Sequence, residues 1–242
     1  MFKTSPTQGI VMTVDSISCA KRHYVIEPIY SCQNQVFAME LLTRFNDEGP
    51  CSEKRIQQMS RAEKQALLLD QLESITQKQR YFIENNISLS INIDFTMAIF
   101  LSQDRNVRNL MDKLPFICLE ISENFPNLND GKRNPLLATL YERYPLWLEG
   151  FGSGNSNIYA VSQSTFHYVK LDKIFYWEMI KDRKVYTLSV LVENIKKYCY
   201  GIIIEGVQTH SEYYLLKNCG IKGIQGYIYP TYTLDTLPIL KR

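Results

Sequence analysis

The sequence lacks the features that mark secreted, membrane-spanning and nucleic-acid-binding proteins. Its six cysteines form no CxxC pair and no secretory apolar segment precedes them, so we expect reduced thiols in a cytoplasmic protein. No apolar run approaches the roughly 20 residues that a membrane-spanning helix needs. The formal net charge is only +2, and the basic residues form short clusters. We therefore expect neither a membrane nor a nucleic acid as a direct partner.

Internal repeats, low-complexity tracts and proline-rich linkers are also absent, which favours one compact domain. The 242 residues are enough to bury a substantial core. The beginning of the chain is rich in Ser, Thr and Gly and shows no clear periodicity. We therefore predict an N-terminal arm over residues 1–22 and one folded domain over residues 23–242.

Short apolar runs recur along the domain and alternate with stretches that carry helical signals. This alternation is typical of βα units, so we predict an α/β fold with a parallel sheet. The eight predicted strands are Tyr24–Tyr30, Val36–Leu42, Ile87–Ile93, Phe116–Ile121, Leu146–Leu148, Tyr168–Leu171, Ile202–Ile204 and Gly223–Ile224.

Two capping boxes mark helix starts between these strands. Ser60 and Glu63 open one apolar stretch, and Thr209 and Glu212 open another that is followed by a closing glycine. A third stretch, Val185–Tyr198, carries its apolar residues on one helical face. These stretches are predicted to be helices of the outer layer.

A polar or ionisable residue lies near the carboxyl end of seven of the eight predicted strands. In a barrel of βα units these ends open into one shared cavity. Buried carboxylates are costly unless they bind a cation, and oxygen ligands favour magnesium, manganese or calcium. Each residue alone is more often a solvated strand end, but together they indicate a site. The seven are Glu40, Asn92, Glu120, Glu149, Lys170, Glu205 and Gln225.

The same segments resemble the motifs of the EAL family, in order and in register. They are EPI at 27–29 (family QPI), MELLTRF at 39–45 (EALLRW), SINI at 90–93 (VNLS), LEISE at 119–123 (LELTE), EGFGSG at 149–154 (DDFGTG), VKLD at 169–172 (LKID), EGVQ at 205–208 (EGVE) and QGY at 225–227 (QGY). The resemblance covers about residues 24–232. It implies a TIM-like (β/α)8 barrel of the EAL type in the domain at 23–242.

Active EAL proteins are cyclic-di-GMP phosphodiesterases in which two metal ions activate water for attack on a phosphodiester. The resemblance implies first-metal ligands at Glu40, Asn92 and Glu120. It also implies a lysine beside the attacking water at Lys170 and a further acid at Glu205.

Departures from the family motifs predict that this catalytic centre is vestigial. Glu149 stands where an aspartate bridges both metals, and its extra methylene displaces the carboxylate. Gly150 replaces the second aspartate and offers no side-chain ligand. A misplacement of 1 Å alone can cost about 10²-fold in rate. We therefore predict little or no hydrolysis and no bound metal or other cofactor.

The nucleotide-binding side is altered as well. Arg44 remains as a candidate phosphate contact, but Glu27 places an acid where an anionic dinucleotide would approach. We therefore expect cyclic-di-GMP binding to be weak or absent.

Within the family, the segments at 121–132 and 152–156 resemble degenerate stand-alone EAL proteins of enteric bacteria, the YdiV-type anti-FlhDC factors. The resemblance implies a non-enzymatic protein that binds the FlhD subunit of the flagellar master regulator FlhD–FlhC and represses flagellar gene expression and motility. Two alternatives stay open: an active cyclic-di-GMP phosphodiesterase, which the retained polar residues favour, and a non-hydrolysing cyclic-di-GMP sensor, which Arg44 favours. The pattern does not locate the partner-binding residues.

The histidines and several aromatic residues carry no decisive signal. His23, His167 and His210 lack metal-ligand spacing, so each is interpreted as a surface or satisfied residue. For the aromatic residues, packing and an exposed binding surface both stay open. They are Tyr141, Tyr144, Trp147, Tyr176 and Trp177.

Overall fold

The computed structural model describes residues 22–46, 52–154, 158–182 and 184–240. The predicted arm over residues 1–22 lies outside the described residues, except for Arg22, which begins the first strand. The strands are β1 (Arg22–Ser31), β2 (Val36–Phe45), β3 (Ser88–Asn92), β4 (Ile117–Ser122), β5 (Leu146–Phe151), β6 (Tyr168–Leu171), β7 (Gly201–Ile204), β8 (Gly223–Ile224) and β9 (Tyr232–Thr233).

Helices connect the successive strands from β2 to β8. They are α1 (Ser52–Gln58), α2 (Arg61–Asn85), α3 (Phe95–Gln103), α4 (Arg105–Met111), α5 (Pro135–Tyr141), α6 (Ile158–Ser162), α7 (Lys173–Lys181), α8 (Val185–Ile195) and α9 (His210–Leu216), with a 3₁₀ helix at Leu128–Arg133. None of these described helices combines the length and the apolar character that crossing a membrane requires.

Strands β1 to β8 close into a barrel. Strands β2 through β8 are parallel neighbours in sequence order, and β1 pairs with both β8 and β2. Helices lie between most of these strands in the chain, which is the alternation that the sequence predicts. The structure thus confirms an α/β fold with a TIM-like eight-stranded barrel.

The prediction of a wholly parallel sheet is wrong for β1. This strand runs antiparallel to both of its barrel neighbours, and Glu27 stands opposite Glu40 in the pairing with β2. The two strands are separated by a turn at residues 32–35, in which Asn34 has φ +61°. So short a connection allows a hairpin, whereas a parallel pair needs a crossover of a dozen or more residues.

Strand β9 gave no signal in the sequence because only two of its residues pair. It joins the edge of β1 at Val25 and Ile26, while β8 uses the same edge at Tyr30 and Ser31.

The apolar core has two parts, one inside the barrel and one between the barrel and its helices. The inner part consists of Ile29, Ala38, Cys118, Trp147 and Ile203. Their strands alternate side chains across the barrel wall, so the opposite faces of the same strands pack on the helices. Trp147 is fully buried, so the barrel interior is a packed core and not a channel.

Local signals in the sequence set several helix boundaries. Ser60 and Glu63 form a complete capping box at the start of α2. Thr209 caps α9 as predicted, but the carboxylate of Glu212 accepts from the backbone of Gln208. Helix α8 ends at Ile195, three residues before the end of the predicted stretch. The four described cysteines, Cys32, Cys118, Cys199 and Cys219, are free thiols.

Candidate functional site

The carboxyl ends of the strands surround a cavity of about 500 Å³, which we call the mouth. Of the seven predicted site residues, six line it directly. These six are Glu40, Asn92, Glu120, Glu149, Glu205 and Gln225. The seventh, Lys170, is fully buried and bonds to carboxylates that line the mouth. The topology therefore brings together all the residues that the sequence singles out.

The position of Glu40 within β2 differs from the prediction. Glu40 is expected near the end of its strand, but β2 continues five residues beyond it, to Phe45. The hairpin with β1 explains this length, because it supplies backbone partners for β2 as far as Phe45. Glu205 and Gln225 follow directly after β7 and β8, as the sequence predicts.

Lys170 is the centre of a buried ionic network. Its Nζ lies 2.7 Å from Glu40 Oε2, 2.9 Å from Glu120 Oε2 and 2.9 Å from Glu205 Oε1. One ammonium thus contacts three carboxylates at the end of a packed core. Such a network is stable only if each charge keeps its partners.

Two amides extend this network. Gln225 Nε2 donates to Glu40 Oε2 at 2.7 Å and to Glu27 Oε2 at 3.1 Å. Asn92 Nδ2 donates to Glu40 Oε1 at 2.8 Å. Glu40 therefore accepts hydrogen bonds on both of its oxygens, and Glu27 is tied to the network through Gln225.

The carboxylates of the mouth differ in their proton affinity. Burial alone would raise the pKa of Glu40, but Lys170 and the two amides lower it below its usual value. Burial and the nearby Glu40 raise the pKa of Glu120 to about 8 against the attraction of Lys170. Burial and Glu120 also raise the pKa of Glu149 well above its usual range. The one ammonium of Lys170 therefore does not compensate for the negative charge of all the carboxylates around it.

The residues of the mouth fit one divalent cation. Carboxylate oxygens of Glu40, Glu120 and Glu149 all lie within 4.8 Å of one another. Glu120 Oε1 is buried and has no hydrogen-bond partner among the described residues. Three oxygen donors and an unsatisfied acceptor suit magnesium or manganese, which would act there as a Lewis acid toward a phosphate oxygen.

Among the described residues, a second cation lacks a comparable set of ligands. Gly150 carries no side chain, and it lies where β5 breaks register with β6, between Leu148 and Phe151. Its backbone has φ +79°, a left-handed conformation that favours glycine. The next loop is held by a hydrogen bond from Ser153 Oγ to the carboxylate of Glu123. Sequence and backbone therefore agree that no acidic side chain projects from this position.

The candidate phosphate contact faces an acid. A guanidinium nitrogen of Arg44 lies 3.9 Å from Glu27 Oε1, and another donates to the carbonyl of Thr43 at 3.3 Å. Nine acidic and two basic residues line the described mouth, and Lys170 lies beneath them. This balance of charge opposes the approach of an anionic dinucleotide.

The aromatic residues left open by the sequence pack into the structure. Tyr144, Trp147 and Tyr176 are buried, and Trp177 donates from its indole nitrogen to the Gly206 carbonyl at 2.8 Å. The most exposed tyrosines are different ones, and of these only Tyr227 lies in one of the motifs, QGY at 225–227. They are Tyr186, Tyr200, Tyr214 and Tyr227.

Comparison with known proteins identifies the family. The EAL domain model matches residues 15–231, which is most of the chain. The chain belongs to the EAL domain family. The mouth of this EAL barrel holds the residues of the segments that resemble the family's motifs, and Glu149 and Gly150 differ from those motifs.

Relatives of this EAL protein include both an enzyme and regulators. The cyclic di-GMP phosphodiesterase PdeH of Escherichia coli K12 is 28% identical over 226 residues, 89% of this chain and 87% of PdeH. The putative anti-FlhC(2)FlhD(4) factor YdiV of the same strain is 31% identical over 219 residues, 88% of this chain and 92% of YdiV. The anti-FlhC(2)FlhD(4) factor YdiV of Salmonella typhimurium LT2 is 26% identical over 217 residues, 87% of this chain and 91% of that protein.

Solved structures agree with the fold. The crystal structure of the EAL-like domain protein YdiV matches with a TM-score of 0.80 and 29% identity, over 88% of this chain and 93% of that one. The calcium and cyclic-di-GMP complex of BlrP1 from Klebsiella pneumoniae matches with a TM-score of 0.70 and 18% identity, over 88% of this chain and 56% of that one. At that identity BlrP1 shows the shared fold alone.

Proposed function

We propose that this EAL barrel is a non-enzymatic, cytoplasmic regulator that binds the FlhD subunit of FlhD–FlhC and so represses flagellar gene expression and motility. The likeness to YdiV in sequence and in fold supports this proposal, because the relatives are named anti-FlhC(2)FlhD(4) factors. The proposal assigns the activity to the domain at 23–242 and not to the arm at 1–22.

The observation that carries the non-enzymatic part is Gly150. Hydrolysis with two metal ions needs ligands that hold both ions in fixed positions. The left-handed backbone at Gly150 and its missing side chain remove one of these ligands, while Glu149 carries a longer side chain than the bridging aspartate. A site with one cation can still polarise a phosphate oxygen, but it does not clamp both the attacking and the leaving oxygen.

The acidic mouth supports a function that does not depend on cyclic-di-GMP. Arg44 is drawn toward Glu27, and Gln225 is already bonded to Glu27 and Glu40. A dinucleotide would have to displace these contacts and bring two phosphates against a surplus of carboxylates. We therefore propose weak or absent binding of this nucleotide.

The test of regulator function is direct binding to purified FlhD and to the FlhD–FlhC complex by isothermal titration calorimetry. We expect the wild-type chain to bind both, and Glu40→Ala to bind equally well, because Glu40 is buried in the mouth. Thermal unfolding of each variant controls for loss of the fold. Failure of the wild-type chain to bind FlhD in either form would reject the proposal.

An active cyclic-di-GMP phosphodiesterase is the second candidate. The retained network around Lys170 and the likeness to PdeH favour it. The test is chromatography of cyclic-di-GMP incubated with the purified protein and excess magnesium or manganese. Linear dinucleotide that appears with the wild-type chain and disappears with Glu40→Ala would establish this second function. We expect the cyclic nucleotide to stay intact.

A further inference from the structure

A second cavity, of about 280 Å³, opens at the end of the barrel opposite the mouth. We call it the floor cavity. It lies where β5, β6 and β7 begin, since His167 N donates to the Leu146 carbonyl and Tyr200 N donates to the His167 carbonyl. The residues that line it are Tyr141, Ser164, Phe166, His167, Lys197, Tyr198, Cys199 and Tyr200.

Aromatic rings form one wall of the floor cavity. The ring centroids of Tyr141 and His167 are 6.0 Å apart, and those of His167 and Tyr200 are 5.3 Å apart. The first pair is tilted and the second is T-shaped, so the rings form a lining and not a closed stack. Tyr200 remains largely exposed. An aromatic ligand can therefore meet these rings edge to face or with an offset.

The charge of the floor cavity is the reverse of that of the mouth. None of the described residues that line it carries a carboxylate, and Lys197 contributes an ammonium. Lys132 adds a second one nearby, with its Nζ 3.8 Å from the ring centroid of Tyr141. A ligand with one negative charge would be attracted to this end of the barrel.

His167, which lines the floor cavity, carries an unsatisfied polar atom. His167 Nδ1 is buried and has no hydrogen-bond partner among the described residues. Burial lowers the pKa of His167, as does Lys132, and the Leu146 backbone opposes them only in part. The imidazole is therefore neutral near pH 7, and its unpartnered nitrogen can pair with a polar group of a ligand once the ring turns toward the cavity.

We propose that the floor cavity binds a small planar aromatic carboxylate that also carries a ring hydroxyl or ring N–H. The aromatic wall would contact the ring, His167 would pair with the hydroxyl or N–H, and Lys197 with Lys132 would attract the carboxylate. The volume suits a small ligand with one ring, since it lies just below the usual range for ligand pockets. This site is separate from the mouth and does not depend on FlhD binding.

The experiment is a calorimetric titration of the full chain with 4-hydroxybenzoate. Three matched probes each remove one feature: 4-hydroxybenzamide lacks the charge, benzoate lacks the hydroxyl, and cyclohexanecarboxylate lacks the planar ring. We expect 4-hydroxybenzoate to bind and each of the other probes to bind at least about fivefold more weakly, as expected for the loss of one good interaction.

Three variants place the binding in the floor cavity. We expect His167→Phe, which keeps an aromatic ring, and Lys197→Gln to raise the Kd of 4-hydroxybenzoate at least about fivefold. Lys217→Gln removes a lysine that does not line the cavity and should leave the Kd unchanged. Thermal unfolding of each variant verifies the fold.

Four outcomes overturn the proposal. The first is no binding of 4-hydroxybenzoate at millimolar concentration. The second is equal binding of the amide or of the non-planar acid, and the third is an unchanged Kd in both cavity variants. The fourth is that the aromatic acid fails to bind while Tyr200→Ala weakens binding to FlhD, because the cavity would then be part of a protein interface.

Discussion

At the scale of single residues, Lys170 stabilises the mouth against the repulsion among its carboxylates. Its ammonium is fully buried and contacts three carboxylates. Those carboxylates raise the pKa of Lys170 well above its usual range even though burial alone would lower it. The lysine is therefore charged at neutral pH, and it offsets part of the repulsion among the acids.

Removal of this charge should destabilise the protein strongly. We expect Lys170→Met to lower the free energy of unfolding by about 3–5 kcal/mol at neutral pH, because it leaves buried carboxylates without their cation. Urea unfolding followed by circular dichroism measures the change. The control is Lys173→Met, a lysine on the rim of the mouth, which should change the stability by less than about 0.5 kcal/mol. A loss below about 1 kcal/mol in Lys170→Met would contradict the central role of this ammonium.

Glu120 should make the stability depend on pH. Its pKa is about 8 in the folded protein, against 4.5 for an ordinary glutamate. Between these two values the folded chain holds a proton that the unfolded chain has lost, so folding is favoured most below the lower value. We expect the free energy of unfolding to fall as the pH rises from about 5 through about 8.

The measurement is urea unfolding at several pH values in the presence of a metal chelator. Glu120→Gln, which cannot ionise, should show a flatter dependence over the same interval. An identical slope in the variant and the wild type would assign the effect to another group of the mouth.

At the scale of elements, the irregular end of β5 forms the part of the mouth in which Glu149 and Gly150 differ from the family motif. The break in register between β5 and β6 lies beside Gly150, whose left-handed backbone places Glu149 and the following loop. A Cβ at this position would have room, with its nearest heavy atom, Glu123 Cγ, at 3.5 Å. The obstacle to an acidic ligand here is therefore the backbone and the charge around it, and not steric overlap.

Two substitutions of Gly150 distinguish the effect of the strained backbone from the effect of the surrounding charge. We expect Gly150→Asn to lower the free energy of unfolding by about 1 kcal/mol, because a residue with a Cβ is strained at this φ. Gly150→Asp should cost more, since its carboxylate adds repulsion from Glu123. Urea unfolding of the two variants at neutral pH gives the comparison. Equal stabilities of the Asn and Asp variants would mean that the local charge has no effect.

At the scale of the whole molecule, the alternation of strands and helices predicted an α/β fold, and the family resemblance implied its barrel form. The residues near the strand ends predicted the composition of the mouth. The apolar runs, together with the helix-capping residues between them, predicted β1 to β8. Buried strands are apolar, and in this chain they alternate with capped helices. The polar residues that follow those runs meet at one end for a topological reason, since parallel strands share their carboxyl ends. The same reasoning predicts Lys170 near Glu40 and Glu120.

Other features of the structure could not be predicted from the sequence, for physical reasons. The antiparallel direction of β1 depends on a four-residue turn at residues 32–35 that the run of apolar residues does not reveal. The hydrogen bonds from Gln225 to Glu27 and Glu40 depend on rotamers. The floor cavity joins His167 from the loop before β6 with Lys197 and Tyr200 from the loop before β7, and each of these residue types is common on any surface.

The regulator hypothesis also makes a prediction for the intact cell. We expect Glu40→Ala and Gln225→Ala to repress motility as the wild-type chain does, because a partner can dock without reaching side chains buried in the mouth. Swimming in soft agar by cells that express each variant at equal level measures repression. Lost repression in variants that remain folded and still bind FlhD would show that the mouth itself acts in regulation.

The closure of the barrel by β1 has a consequence for synthesis on the ribosome. The hairpin of β1 and β2 contains only local pairs, whereas the other edge of β1 is completed by Gly223 and Ile224, nearly 200 residues later. Because the chain emerges in order, this edge stays unpaired until almost the whole barrel has been translated. The nascent protein thus carries an open strand edge for most of its synthesis, and such an edge is a natural binding site for chaperones.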